Sequence, residues 1–207
     1  MHTWVKTPQA RYEDAMNAQS RYFELWDDMA IPGRWVLKQT DFDDQGRRVD
    51  PWQFKKGTSI ALEGKPILGV AHPGQPLDFS LTELATPVLT QRVASLFERL
   101  GLQHEVQFVP ARVEGSTEPY FILNVLRIIR CIDEARCEEV RHWEPRHGDP
   151  SRVGEYRNVV GMKVDPTKIG ATHILRPWGW KGAIIVTERL KLAMESENIT
   201  GTKFVEA

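Results

Sequence analysis

Two cysteines and two histidines with the chemistry of zinc ligands occur in one stretch: Cys131, Cys137, His142 and His147. Five residues separate the two cysteines. Zinc sites usually place only about two to four residues between paired cysteines, because the chain must turn tightly around the ion. The spacing therefore disfavours a zinc site, and a cysteine in an apolar segment is typical of a small core residue. We expect no bound metal.

Other arrangements that catalysis or nucleotide binding requires are missing from the sequence. It has no G-x-S-x-G turn for a nucleophilic serine, and neither of the glycine-rich patterns that hold phosphates. Asp133 and Glu134 are adjacent, so their carboxylates would point to opposite faces of a strand. The sequence predicts no catalytic residue, no cofactor and therefore no enzyme.

An acidic stretch, residues 133–139, contains four carboxylates and one arginine. A solvated edge is the simplest interpretation of such a cluster. The alternative is a contact face for a protein, because an acidic patch attracts a basic partner and tryptophan concentrates binding energy in interfaces. On this alternative, the predicted contact residues are Asp133, Glu134, Glu138, Glu139 and Trp143.

A tryptophan turn, Trp178-Gly179-Trp180, lies between Arg176 and Lys181. Tryptophans beside cations can stack the bases of single-stranded nucleic acid. One interpretation of residues 176–181 is therefore a single-stranded nucleic-acid or nucleotide-binding module, or an enzyme. The other interpretation, which we favour, is a turn whose tryptophans cover the core.

Composition is that of an ordinary globular protein. The chain has 207 residues, of which 41% are hydrophobic and 27% charged, and its net charge is −1. No global field attracts nucleic acid or an anionic membrane. The two cysteines do not make a disulfide framework, which favours a reducing compartment. The N-terminal residues lack a signal-peptide apolar core, and no apolar run is long enough to span a bilayer. We expect a cytoplasmic protein without membrane or nucleic-acid partners.

A pattern that occurs twice predicts how the chain is organised. Residues 87–111 and 183–207 align with Thr90 and Thr187 equivalent, 97 residues apart. Each stretch has a short apolar run, a threonine suited to cap a helix, apolar residues at helical spacing, and a residue that tolerates a left-handed turn, Gly101 or Asn198. The prediction is two strand-helix-strand units. Either they form two related subdomains, or two unrelated segments share a common pattern.

The remaining segments complete the predicted fold. Aromatic residues at helical spacing predict a helix over residues 8–29. The pattern over residues 60–70 predicts a hairpin, and residues 120–132 predict a central strand. The predicted class is α+β, with mixed, largely antiparallel sheets and a few helices. We divide the chain into residues 1–85, a helix and strands packed on the first half, and residues 86–207, within one continuous globular unit.

Several motifs in their order resemble a known family. They are Y-x-x-LNV from Tyr120, C-x-D from Cys131, HILR from His173, IIV-[ST]-E-x-L from Ile184, and TG-x-x-F from Thr200. Together, over about residues 85–207, they resemble the immunity proteins numbered eleven among bacterial polymorphic toxin systems, formerly a domain of unknown function. The N-terminal third matches only by position.

This resemblance implies a protein that binds a cognate toxin domain made by the same cell and blocks it by occlusion. It implies no catalysis by this protein. The family has no catalytic residues to carry over to this sequence, and the resemblance assigns no contact residue. The acidic stretch and Trp143 therefore stay the predicted contact face.

Overall fold

The computed structural model describes residues 21–207. These residues form fourteen β-strands and three α-helices, with short 3-10 turns between them. The helices are α1 (Gln91–Arg99), α2 (Pro166–Ile169) and α3 (Glu188–Ser196). The strands are β1 (Tyr22–Asp27), β2 (Val36–Leu37), β3 (Ile67–Leu68), β4 (Val70–His72), β5 (Phe79–Leu81), β6 (Pro87–Thr90), β7 (Val106–Val113), β8 (Tyr120–Val125), β9 (Ile128–Ile129), β10 (Glu139–His142), β11 (Tyr156–Val160), β12 (Ile174–Pro177), β13 (Ile185–Thr187) and β14 (Thr202–Glu206).

Two five-stranded sheets dominate the architecture. Their strand orders are β3-β7-β8-β6-β5 and β14-β1-β13-β12-β9. Two smaller pairs, β2-β4 and β10-β11, lie beside them. Only β3-β7 and β9-β12 pair in parallel among the named strands. The predicted α+β class with mixed, mostly antiparallel sheets is confirmed.

The repeated pattern folds as two equivalent units. Helices α1 and α3 begin and end at positions 97 residues apart, and each lies between two strands, as predicted. Gly101 and Asn198, just after the helices, both have left-handed backbone conformations, with φ of 77° and 51°. Thr90 and Thr187 occupy the N-cap positions, but neither hydroxyl makes the predicted capping bond. The hydroxyl of Thr90 instead donates to Asp78 Oδ1 at 3.1 Å.

The equivalence of the two units extends to a third strand, which lies outside the two aligned stretches, residues 87–111 and 183–207. In the first sheet β8 lies between β7 and β6, and in the second β1 lies between β14 and β13. Tyr120 pairs with Thr90, as Tyr22 pairs with Thr187. The second unit therefore takes its central strand, β1, from a part of the chain that precedes both units.

Three segment predictions need correction. The helix predicted over residues 8–29 is wrong at Tyr22–Asp27, which is β1, and residues 8–20 lie outside the described part. The hairpin predicted at residues 60–70 is also wrong. The amide of Ile60 bonds to the side chain of Gln107, and β3 pairs with β7 instead. The strand predicted over residues 120–132 is central as expected, but it ends at Val125, and β9 joins the other sheet.

One hydrophobic cluster joins the two sheets. It includes Phe23 from β1, Leu89 from β6, Phe97 from α1 and Met194 from α3. A buried carboxylate, that of Glu105, also connects the units: it accepts hydrogen bonds from the amides of residues 173 and 174 at 2.8 Å each. The division of the chain near residue 86 stays a prediction.

Candidate functional site: an acidic segment and a basic cavity

The acidic segment is a turn whose carboxylates are mostly neutralised locally. Asp133 accepts from Arg136 Nε at 2.6 Å. Glu139 forms an ion pair with Arg141, the second residue after it. Exposed pairs of this kind contribute about 0–1 kcal/mol, but they reduce the charge that a partner would meet.

Glu134 is held by the neighbouring strand pair β10-β11. Its Oε1 accepts from the hydroxyl of Tyr156 at 2.8 Å and lies 3.3 Å from His142 Nε2. Burial and the Glu134 carboxylate together raise the pKa of Tyr156, so its hydroxyl stays protonated and donates. Glu138 is exposed, and of the four acidic candidates it alone has a side chain without an ion pair or hydrogen bond within residues 21–207.

Trp143 directly follows β10, next to His142, whose Nε2 lies 3.3 Å from Glu134 Oε1. The ring of Trp143 contacts Arg152, whose guanidinium carbon lies 4.2 Å from the ring centre. Trp143 is therefore adjacent in the chain to a residue that contacts the acidic segment, while its own ring packs against a cation. The contact face made of the four carboxylates and Trp143 stays a prediction.

The four candidate zinc ligands make separate contacts. Cys131 is buried, and burial raises the pKa of its thiol to about 12, which keeps it protonated. His147 Nδ1 accepts from the amide of Glu144 at 2.9 Å. Among residues 21–207, no group of three or more His, Cys, Asp or Glu side chains is arranged to hold a metal ion.

The tryptophan turn packs against the body of the protein. Trp178 is half-buried, with the guanidinium carbon of Arg130 3.3 Å from its ring centre, and Trp180 packs against a core cluster. Arg176, proposed as a nucleic-acid contact on the alternative interpretation, is fully buried. It therefore presents no cation at the surface, and nothing supports the nucleic-acid or nucleotide interpretation.

One side of this turn forms the wall of a cavity of about 500 Å³. Three separate segments contribute to it: residues 52–56, 152–155 and 179–182. We call it the basic cavity, since its lining includes four cations and a single carboxylate. Its larger lining side chains are those of Trp52, Lys55, Lys56, Arg152, Trp180 and Lys181, with Glu155 beside them.

The local sequence explains how two of these side chains come together. Asp50 accepts from the amide of Trp52 at 3.0 Å and starts a 3-10 turn, Pro51–Lys55, with proline in its first position. Side chains three residues apart eclipse one another in a 3-10 turn. The ammonium of Lys55 consequently lies 5.1 Å from the ring centre of Trp52.

The opposite wall depends on a second Asp-Pro start and on the tryptophan turn. Asp149 accepts from the amide of Ser151 at 3.1 Å and begins the turn Pro150–Arg152. The amide of Tyr156 then donates to the carbonyl of Gly179 at 3.1 Å, which fixes the two segments side by side. A side chain at position 179 would meet Tyr156 at 3.1 Å, and its φ is 75°, so glycine suits this position.

The charges in the basic cavity are unevenly compensated. Glu155 lies between Arg152 and Lys181, at 3.3 and 3.5 Å, and Asp50 lies 3.2 Å from Lys56. Lys55, only 8% exposed, has no carboxylate partner among the described residues. Burial and the neighbouring Arg176 lower its pKa to about 8.

Arg176 adds a second buried cation next to this lysine. Its Nη1 donates to the carbonyls of Lys181 and Ala183 at 2.7 and 3.3 Å, but Nε and Nη2 have no hydrogen-bond partner in the described chain. Burial lowers the pKa of Arg176 to about 10. Buried cations without anions are costly, so this arrangement is suited to receive an anionic group.

Sequence reasoning missed Lys55, Trp52 and Arg152. They come from segments about a hundred residues apart, so no local motif contains them. Two weak signals were present: aromatic residues lie close to lysines in Trp52-Gln53-Phe54-Lys55-Lys56 and again in Trp180-Lys181. Only the fold brings these two stretches to one cavity.

Residues 9–207 match the model of the Immunity protein family (Imm11), which is essentially the whole chain. No curated protein matches the sequence. Within residues 21–207, no helix has the length and apolar character needed to cross a membrane.

Proposed function

Because the chain belongs to the Imm11 family of immunity proteins, we propose that it binds a cognate toxin domain and neutralises it by occlusion, without catalysis. The toxin would be the one encoded beside this gene, and the complex would form in the cytoplasm, before the toxin reaches its target. The family match over residues 9–207 carries this proposal.

Two properties of the surface support binding as the mode of action. Trp52 is exposed and Trp143 is half-buried, each with a cation against its ring, and Trp and Arg are the residue types that concentrate binding energy in interfaces. Cys131, whose thiol could have been a nucleophile, is buried and protonated. Occlusion needs a complementary surface and no reactive group.

A protection assay tests the proposal. Cells express the toxin domain encoded beside this gene, alone or together with this protein, and survivors are counted. We expect rescue, together with a complex of the two proteins that survives size-exclusion chromatography. A folded protein that neither rescues the cells nor forms a complex would contradict the proposal.

The acidic segment stays a predicted contact face, and Glu138 allows the cleanest test. Charge reversal at Asp133, Glu134 or Glu139 would also break a local ion pair or hydrogen bond. The side chain of Glu138 makes neither in the described chain. If the segment contacts the toxin, Glu138→Lys weakens binding about tenfold with an unchanged melting temperature. Glu98→Lys, at an exposed position of α1, is the matched control. Unchanged affinity in Glu138→Lys would place the contact elsewhere.

A further inference from the structure

The basic cavity contains a lysine whose position is difficult to explain by stability alone. Lys55 is 8% exposed, and its side chain lines the cavity without a hydrogen bond or ion pair in the described chain; its ammonium lies 5.1 Å from the ring centre of Trp52. A single cation–π contact offsets only part of the free energy that partial desolvation of an ion costs. An apolar side chain of similar length would suit the folded state better.

Arg176 makes the local excess of positive charge larger. It is 0% exposed, its Nε and Nη2 lack partners, and its charge acts on Lys55. Glu155 does not compensate this pair, because its two oxygens already face Arg152 and Lys181. A single carboxylate placed against Lys55 would relieve the repulsion between the two buried cations.

The walls of the cavity indicate which kind of anion fits. Trp52, at 55% exposure, forms the rim, and Trp180 forms part of the wall. The rim continues through Arg152 to Trp143. A cavity of about 500 Å³ with this lining has room for an acidic side chain together with an apolar neighbour. Tryptophans around a buried charge are typical of the central part of a protein interface.

We propose that the basic cavity receives a carboxylate side chain from an acidic segment of the toxin domain, with Lys55 as its direct partner and Trp52 packed on the adjoining apolar residue. This inference rests on the proposed function and names the surface and the chemistry through which that function is performed.

The test compares Lys55→Met with Lys38→Met in isothermal titration against the same toxin domain. Lys38 is exposed and does not line the basic cavity, so its replacement removes an equal charge elsewhere. We expect Lys55→Met to weaken toxin binding by at least about tenfold while its melting temperature rises. A residue with a merely structural role would show the opposite change in melting temperature. Lys38→Met should bind like the wild-type protein.

A second variant and a second ligand keep the outcomes distinct. Lys55→Arg retains a cation and should retain most of the affinity. If the wild-type protein and Lys55→Met bind the toxin equally well, the inference is wrong and the proposed function stands. If the wild-type protein does not bind the toxin, the proposed function itself fails. If inorganic phosphate raises the melting temperature of the wild-type protein but not of Lys55→Met, and toxin affinity is unaffected, the cavity binds a free anion and the inference is overturned.

Discussion

Lys55 and Arg176 are two buried side chains of like charge, and they carry the argument for an anionic partner. Each stem packs in the interior, and each cation is left without a carboxylate. Proteins rarely retain such a pair, because an unpaired buried charge reduces stability by several kcal/mol. Stability alone therefore does not account for this pair, whereas the proposed anionic contact from a partner does.

The pH dependence of stability should reveal this cost. The pKa of Lys55 is 10.5 in the unfolded chain and about 8 in the folded protein. Below pH 8 the Lys55 side chain is protonated in both the folded and the unfolded protein, so its burial lowers the free energy of unfolding by the full amount. Between pH 8 and 10.5 the unfolded chain binds more protons, so this contribution to the free energy of unfolding rises with pH.

We therefore expect Lys55→Met to exceed the wild-type protein in stability by roughly 2 kcal/mol at neutral pH, with the difference closing as the pH approaches 10.5. Urea unfolding over this range measures it. Other titrating groups, such as Cys131, are common to both proteins and cancel in the difference. A difference that does not change with pH would show that Lys55 is not buried as a cation.

At this scale the sequence supports only negative conclusions. The poor zinc spacing of Cys131 and Cys137 and the missing phosphate loops follow from local chemistry that any reader of the sequence can check. The basic cavity does not, because its lining comes from three distant segments, and Arg176, whose charge helps to lower the pKa of Lys55, is far away in the chain. Nor does the sequence show which of the nearby carboxylates pairs with Arg136. In the structure this carboxylate is Asp133.

Among the elements, the strand-helix-strand unit is the part that sequence reasoning predicts best. Its helix bounds, the strands on both sides and the left-handed residues that follow the helices were all inferred from periodicity and residue type. β1 was missed because its aromatic residues also fit helical spacing. A sequence signal was available: Tyr-Phe-x-Leu begins both β1, at Tyr22, and β8, at Tyr120. Pairing between distant strands overrode the local pattern.

The two left-handed positions provide a matched pair of substitutions. Gly101→Ala places a side chain at φ 77° and should lower the free energy of unfolding by about 1 kcal/mol. Asn198→Gly removes a side chain at φ 51° and should change stability by only a few tenths of a kcal/mol. Thermal unfolding of both variants measures these effects. No atom lies within 4 Å of the new Cβ at position 101, so a larger loss there would contradict a purely backbone origin.

In the whole molecule, the two units share one core and exchange polar contacts. The Glu105 carboxylate bonds to β12 of the second unit, and Asp78 accepts from Thr200. Because β1 completes the second sheet, the second unit is not built from a single continuous stretch of chain, whereas the strands of the first sheet all lie within residues 67–125. Sequence patterns cannot show this arrangement, because it depends on which sheet each strand joins.

Unfolding should therefore be a single cooperative transition, with circular dichroism and tryptophan fluorescence changing together. Glu105→Ala should lower the free energy of unfolding by about 2–3 kcal/mol, because two buried amides lose a charged acceptor. Glu98→Ala, at an exposed position of α1, should have little effect. Two separated transitions would instead support independent domains divided near residue 86.

The most direct test of neutralisation by occlusion is a titration of toxin activity with the purified protein. Occlusion predicts that activity falls in proportion to the protein added, reaches zero at one equivalent and recovers when the complex is dissociated. Inactivation of excess toxin by a small fraction of an equivalent, increasing with time, would contradict the account, since it would show that this protein acts as a catalyst.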